Sequence, residues 1–357
     1  TDRRTLVVIG NGMAGHRLVE AIVERGLAKT LDVVVFGAEA RAAYDRVALS
    51  SYVDGKTAAE LSLVREGAYD DVELILGDRV AGVDLTARNV TTASGRVQHF
   101  DTLVFATGST PFVPPLPGRE LENCFVYRTL DDLDAIRAAA ATARTGVVIG
   151  GGLLGLEAAN ALKLLGLEVE VVELAPRLMP LQVDEGGGAV LRRRIEALGI
   201  TVHTGISTKC IEAGLHERVS RLVFADDTAV DTDVVVFSAG IRPDDALARV
   251  AGLAVGERGG IVVDSHCRTT VPGVYAVGEC ANVEGRVYGL VAPGYAMAEA
   301  VAEQLAGREA AFTTTDVSTK LKLLGVDVAS FGDAFATTAG SLELVYADHV
   351  SGIYKKL

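Results

Sequence analysis

Twice in this chain an apolar strand pattern runs into Gly-x-Gly-x-x-Gly and on into a helical pattern. That duplication constrains the possible folds more than anything else in the sequence. Residues 5–15 read TLVVIGNGMAG, with Gly10, Gly12 and Gly15 at the motif positions. HRLVEAIVERG follows, with Leu18, Val19, Ile22 and Val23 at helical spacing. Residues 145–157 read TGVVIGGGLLGLE, which puts Gly150, Gly152 and Gly155 in the same relation to a second strand and helix. The first glycine of such a motif permits a tight turn, the second lets backbone approach a pyrophosphate, and the third lets helix and strand pack closely. The helix N-terminus then offers free N–H groups and the positive end of its dipole. Met13 and Ala14 fill the gap before the third glycine in the first motif, and Leu153 and Leu154 fill it in the second. All four count with their fingerprints as cofactor-binding positions. The pattern predicts an α/β chain with two Rossmann-like dinucleotide-binding domains.

The strand after each helix should end in an acid about 20 residues beyond the glycines, where it can accept hydrogen bonds from a ribose 2′-hydroxyl. The second motif has one: VEVVE ends at Glu173, which favours NADH over NADPH because a carboxylate repels a 2′-phosphate. The lesser alternative for Glu173 is a solvated strand end. The first motif lacks the tidy acid. Its strand reads LDVVVFGAEAR, with Gly37 at the expected place and Glu39 two residues on, so either Glu39 reaches back to the ribose or backbone groups take over. Two fingerprints imply two dinucleotides, and the economical pairing is a bound FAD with a transient NADH.

Composition narrows the class further. With 357 residues, 49% hydrophobic and 23% charged, the chain is expected to form two or three globular domains. No apolar run reaches the ~18 residues of a membrane span. The first residues enter a strand pattern directly, so no secretory leader is expected. A net charge of −13 argues against nucleic acid or an anionic membrane as partner. The cysteines Cys124, Cys210, Cys267 and Cys280 are far apart and have no metal-ligand spacing, which suits reduced thiols in a cytoplasmic protein.

Three further segments, DTLVFATGSTP at 101–111, TDVVVFSAGIRP at 232–243 and TVPGVYAVGE at 270–279, complete an ordered set with the two fingerprints. In that order the chain resembles the two-dinucleotide flavoprotein reductases related to glutathione reductase. The resemblance implies a discontinuous FAD domain at 1–112 and 241–311, an NADH domain inserted at 113–240, and a partial interface domain at 312–357. It also implies roles. Ala106, Thr107 and Gly108 would lie against FAD, Val80 would meet the adenine through its backbone, and Gly240 would approach the nicotinamide nucleotide. Gly278 would pass close to the ribityl-phosphate arm, and Glu279 would stand where the family usually has a ribityl-binding aspartate. Arg46 would pack near the flavin, with a surface ion pair to Asp45 or a neighbour as the alternative. A helix starting near Pro293 or Gly294 would present its N-terminus to the flavin. YRTLDDLDAI at 127–136 reads as a helix start capped by Thr129, a structural feature only.

The family's redox position is where this chain departs. Peroxide and oxygen reductases of this kind carry Leu-Ser-Cys, and reductases for ferredoxin-like partners carry Leu-Ser-Lys. Here Leu49 and Ser50 lead to Ser51. A hydroxyl cannot cycle through thiolate and sulfenic acid, so peroxide and disulfide reduction by that route are excluded. A C-terminal catalytic histidine–glutamate pair is also unmatched, and His349 reads as an exposed turn residue. Electrons must therefore leave the flavin directly, and no side chain is assigned a catalytic role of its own. IGNGMAGHRLVE, FGAEARAAYDRVALSSY, ATGSTPFVPPLPG, CFVYRTLDDLDAI and AVGECANVEGRVYGLVAPGY further resemble the flavoprotein region of assimilatory NAD(P)H-dependent nitrite reductase large subunits. That family passes electrons through iron–sulfur centres to sirohaem, whose cysteine ligands have no match here. The implied role is electron input to such an acceptor. The alternatives are a stand-alone NADH reductase for rubredoxin, ferredoxin or a quinone, and a slow NADH-binding redox sensor. A homodimer is possible. Residues 312–357 read as short strands with turns at Gly325, Gly332 and Ser351-Gly352. They are expected to stop mid-sheet, in a chain that either continues past Leu357 or is completed by a partner.

Overall fold

The computed structural model describes residues 3–313, 318–323, 325–348 and 350–357. His349 lies outside them. In chain order, β1 (Arg4–Ile9), α1 (Met13–Glu24), β2 (Leu31–Gly37), α2 (Leu49–Val53), β3 (Val72–Leu76) and β4 (Thr102–Phe105) come first. The middle of the chain forms β5 (Cys124–Val126), α3 (Leu130–Ala140), β6 (Thr145–Ile149), α4 (Leu153–Leu164), β7 (Glu168–Glu173), α5 (Glu185–Ala197), β8 (Ile200–Thr204) and β9 (Val234–Phe237). Then come β10 (Val274–Ala276), α6 (Val291–Leu305) and two hairpins, β11 (Thr319–Leu323) with β12 (Val326–Ser330) and β13 (Val345–Asp348) with β14 (Ile353–Lys356).

Two compact units result. The first comprises Thr1–Arg46, Ala58–Thr110 and Ile241–Val317, and the second Val47–Thr57, Pro111–Gly240 and Ser318–Leu357. The first is built on a parallel sheet of order β10-β4-β1-β2-β3. The second is built on a parallel sheet of order β5-β9-β6-β7-β8. The orders correspond strand for strand, except that the outer strand next to β4 is supplied late in the chain and the one next to β9 early. Strands such as LVVI and VVVF are apolar without alternation because both sheet faces are covered. Leu6, Val7, Val8, Leu103, Val104, Phe105, Leu18 and Ile22 form the first core, and Val147, Val235, Leu222 and Phe224 belong to the second.

The helix limits mostly follow the sequence. Thr129 caps α3 in a reciprocal box with Asp132. The helix expected from Pro293 or Gly294 starts slightly earlier, at Val291, with both residues buried in its first turn. Proline suits a first turn because its missing N–H would have no partner there.

Candidate functional site

In each sheet the strand order reverses beside the strand that carries the glycine motif, between β1 and β4 and between β6 and β9. Such switch points leave a crevice at the carboxyl ends of the strands. Gly10 turns there at φ 113°, and a Cβ on it would sit 2.2 Å from Ala106 O. Gly150 turns at φ 122°, and a Cβ on it would sit 2.1 Å from Ser238 O. Both positions require glycine twice over, for backbone angle and for space. The third glycines close the packing: a Cβ on Gly15 would meet Gly10 O at 2.1 Å and one on Gly155 would meet Gly150 O at 1.9 Å.

The second glycines behave differently. Gly12 and Gly152 are the N-caps of α1 and α4, neither helix has a capping side chain, and a Cβ on either glycine would meet nothing within 4 Å. The first N–H groups of these two helices are thus left for an outside acceptor in front of open space, whereas α3 satisfies its own through Thr129. These cradles fit the diphosphate of a dinucleotide. Met13 and Ala14 open α1, and Leu153 and Leu154 open α4.

Around the first cradle, Gly278 turns at φ 78° with a would-be Cβ 2.9 Å from Ala14 Cβ, and Gly294 approaches Gly278 Cα within 3.3 Å of its own would-be Cβ. The start of α6 and the 278 turn are therefore pressed against the start of α1. Ala106 N donates to Ile9 O at 2.8 Å, which fixes the end of β4 beside β1. Thr107 Oγ1 donates to Asp244 O at 2.5 Å, and Asp244 N donates to Gly108 O at 2.9 Å. Asp244 was not legible as a site residue. Burial raises its carboxyl above the usual range, only partly offset by Arg79 at 3.9 Å. Glu279 accepts from Ser109 Oγ at 2.7 Å. Val80 is buried at the start of the strand Val80–Asp84.

Glu39 and Arg46, separate candidates in the sequence, come together. Arg46 is ion-paired with Glu39, and its guanidinium lies 5.1 Å from the centre of the Tyr44 ring. Tyr44 Oη donates to the other Glu39 oxygen at 2.8 Å. Glu39 is thus one neighbour that pairs with Arg46.

Around the second cradle, Glu173 Oε2 accepts from Gly151 N at 2.6 Å and Oε1 accepts from Ala175 N at 2.7 Å. The acid at the end of β7 therefore braces the glycine turn as well as placing negative charge beside it. Gly240, at φ 107°, follows β9 and accepts from Phe112 N at 2.9 Å. Glu157, one turn into α4, was missed: burial pushes its carboxyl up to about 7. Nearby Tyr127 is buried, and its hydroxyl has no hydrogen-bond partner among the described residues. A single acid in the apolar run LLGLEAANAL was the available signal.

Ser51 is at home in the second unit. Its hydroxyl donates to Ala48 O at 2.6 Å. The neighbouring Tyr52 donates to Asp134 Oδ1 at 2.8 Å, while Arg137 stacks on the Tyr52 ring at 4.7 Å and fastens α2 to α3. The four cysteines are unpaired; Cys267 and Cys280 are buried, and burial raises both thiols. Among the described residues no cluster of His, Cys, Asp or Glu could hold a metal ion, and no helix is long and apolar enough to cross a membrane.

Two switch-point cradles with uncapped helix starts define a chain built to bind two dinucleotides, and the family it matches is one of FAD-dependent NAD(P)H oxidoreductases. The chain belongs to the pyridine nucleotide-disulphide oxidoreductase family, whose model matches residues 4–302. It is similar to the nitrite reductase [NAD(P)H] large subunit of Klebsiella oxytoca, 56% identical over 99% of this chain and 37% of that protein. The nitrite reductase (NADH) large subunit of Escherichia coli K12 is 48% identical over 99% of this chain and 42% of its own length. The chain thus spans less than half the length of either relative. Among solved structures, the ferredoxin reductase for the CYP199A2 system of Rhodopseudomonas palustris superposes with a TM-score of 0.87 at 28% identity, over 99% of this chain and 88% of that one.

Proposed function

We propose that this chain is the electron-input part of an assimilatory nitrite reductase, taking hydride from NADH and passing electrons to an iron–sulfur and sirohaem acceptor. FAD is assigned to 1–112 with 241–311, NADH to 113–240, and 312–357 to an interface segment. The observation that carries the reading is the pair of matched, uncapped helix starts at the two switch points. The chemistry supplied by the bound pair is hydride transfer from nicotinamide to flavin.

The chain's own residues bind and orient. Gly10, Gly12, Met13, Ala14 and Gly15 cradle one diphosphate, and Gly150, Gly152, Leu153, Leu154 and Gly155 cradle the other. Ala106, Thr107, Gly108, Gly278 and Glu279 form the wall along the flavin, with Val80 at the adenine. Glu39, held by Tyr44 and Arg46, serves the first nucleotide, and Glu173 and Gly240 serve the second. Glu173 disfavours a 2′-phosphate, so NADH is the expected donor. Ser51 offers no thiol relay, so electrons leave the flavin without a side-chain intermediate. Positioning, with no obligatory side-chain acid or base, supplies the rate.

A second reading, a stand-alone NADH reductase for a small iron–sulfur protein, is favoured by the 88% coverage of the ferredoxin reductase. Anaerobic stopped-flow reduction by NADH separates the two. The nitrite reductase reading expects fast flavin bleaching reversed by ferricyanide but not by nitrite, with no efficient reoxidation by rubredoxin or ferredoxin. Efficient reoxidation by those carriers would favour the second reading. Slow bleaching with FAD bound would leave the redox-sensor reading.

A further inference from the structure

Three glycines in a row, Gly186, Gly187 and Gly188, stand in the first turn of α5, and neither nucleotide cradle uses them. Glycine is the poorest helix former after proline, because it has the most backbone freedom to lose. A helix start built this way needs something outside itself to keep it wound. The last strand of the chain supplies it. A Cβ on Gly186 would lie 2.7 Å from Tyr354 Cε2 of β14, and one on Gly187 would lie 3.4 Å from Cδ1 of the same ring. The missing side chains are the socket in which that ring lies. Tyr354 Oη donates at 2.7 Å to Asp184 Oδ2, and Lys356 Nζ stands 3.3 Å from the same oxygen. Asp184 Oδ1 caps α5 by accepting from Gly187 N at 2.9 Å. Farther along α5, Arg194 donates to Ser351 O and Gly352 O at the turn of the hairpin.

The third glycine serves the segment before the helix. A Cβ on Gly188 would lie 2.9 Å from Arg177 Cβ. Arg177 belongs to the strap 174–183 that joins β7 to α5, and it ties the strap together through Nε to Val183 O at 2.8 Å and Nη2 to Pro180 O at 3.3 Å. The strap also reaches the second cradle. Met179 N donates to Gly151 O at 2.9 Å, while Glu173, from which the strap departs, accepts from Gly151 N. Both backbone groups of Gly151, the residue ahead of the N-cap of α4, are therefore held from this side. Met179 makes its bond at a φ of 46°, in the left-handed region that a bulky side chain seldom adopts. Such a backbone persists only where its surroundings fix it. Here they are Gly151 on one side and, through Gln182 N and Val183 N donating to Met179 O, the start of α5 on the other.

A continuous run from Tyr354 through Asp184, α5 and the strap to Gly151 thus lies inside the second unit. Its weakest member by sequence is the glycine turn. With the ring seated the turn is helical. Without the ring, three glycines favour unwinding and the strained strap loses one of its two anchors.

We propose that Tyr354 is a positioning residue for the nicotinamide nucleotide: seated in the glycine socket, it keeps the first turn of α5 wound, and that turn keeps the 174–183 strap on Gly151. This rests on reading the second cradle as the NADH site, and two measurements keep the two readings apart. The first is hydrogen exchange of the full chain without nucleotide. Tyr354→Ala should speed exchange across Leu178–Gly188. Gly186→Ala added to it should slow exchange again, since alanine supplies the helicity that the ring supplied. Exchange there that Tyr354→Ala leaves unchanged overturns the proposal.

The second measurement is steady-state kinetics with ferricyanide as acceptor. Tyr354→Ala should raise KM for NADH about fivefold, the equilibrium effect of one glycine in a helix interior, with kcat within about twofold. The double variant with Gly186→Ala should recover most of that loss. Gly186→Ala alone should keep KM close to that of the intact chain while exchange in β14 speeds up, because the new methyl unseats the ring and replaces its effect on the helix. A ring that only fastens the hairpin would leave KM unchanged in Tyr354→Ala, or give a rise that Gly186→Ala does not repair; either result overturns the proposal. An intact chain that NADH does not reduce overturns the NADH reading instead, and exchange without nucleotide still decides whether Tyr354 holds the strap.

Discussion

At the scale of single residues, Glu173 shows how one side chain can serve both turn and ligand. Its carboxylate braces Gly151 N and Ala175 N and also sets the sign of charge at the end of β7. Glu173→Ala should raise KM for NADH and narrow the preference over NADPH by about tenfold, the scale of one lost charge-assisted hydrogen bond. Steady-state kinetics with both nucleotides check this, and unchanged constants would mean that the carboxylate does not meet the ribose. The glycines were legible because their requirement is local: φ 113° at Gly10 and φ 122° at Gly150 are written into the residue type. The partners of Glu39 were only half legible, since Arg46 was visible as a nearby cation but its pairing with Glu39 is a matter of loop geometry. Glu157 and the hydrogen bond between His16 and Tyr69 were not legible. One looks like a solvated helix position until α4 is seen to be buried, and the other joins residues 53 apart in sequence.

Elements were easier to read than their partners. The Thr129–Asp132 box that starts α3 is a sequence-local device. Thr129→Ala should cost about 1 kcal/mol of stability through lost N-terminal hydrogen bonds. Thermal unfolding would measure it, with no change expected in nucleotide affinity, because α3 satisfies its own N-terminus and offers it to no ligand. α1 and α4 start on bare glycines for the opposite reason. The hairpins β11–β12 and β13–β14 were expected from glycine turns. Their attachment was not: Tyr354 of β14 donates to Asp184, the N-cap of α5, at 2.7 Å, and Gly186 leaves room for its ring. A hydrophobic pattern marks that a strand has a buried face but does not name the helix that covers it.

At the scale of the molecule, the two units share a strand order and differ in how they answer acid. His16 in the first is held below its usual value by burial, so the unfolded chain takes up that proton first and stability falls as pH drops below about 6.5. Glu157 in the second is raised from 4.5 to about 7, so the folded form binds the proton first and stability rises as pH falls through that interval. Hydrogen exchange followed from pH 8 to 5, expressed as opening free energy, should show β1 and α1 losing protection while β6 and α4 gain it. A parallel trend in both units would contradict that assignment. The late origin of β10 and α6 has a further consequence, in time. α6 clasps α1 through Glu299 and Glu303, which meet Arg17 and Arg25, and β10 completes the first sheet beside β4. On a ribosome adding about 5–20 residues per second, the segment through Thr110 therefore emerges roughly 10–40 s before the strand and helix that finish its unit. The parallel sheet of the second unit, though begun later, lies in one continuous stretch from Cys124 to Phe237 and can form before β10 emerges.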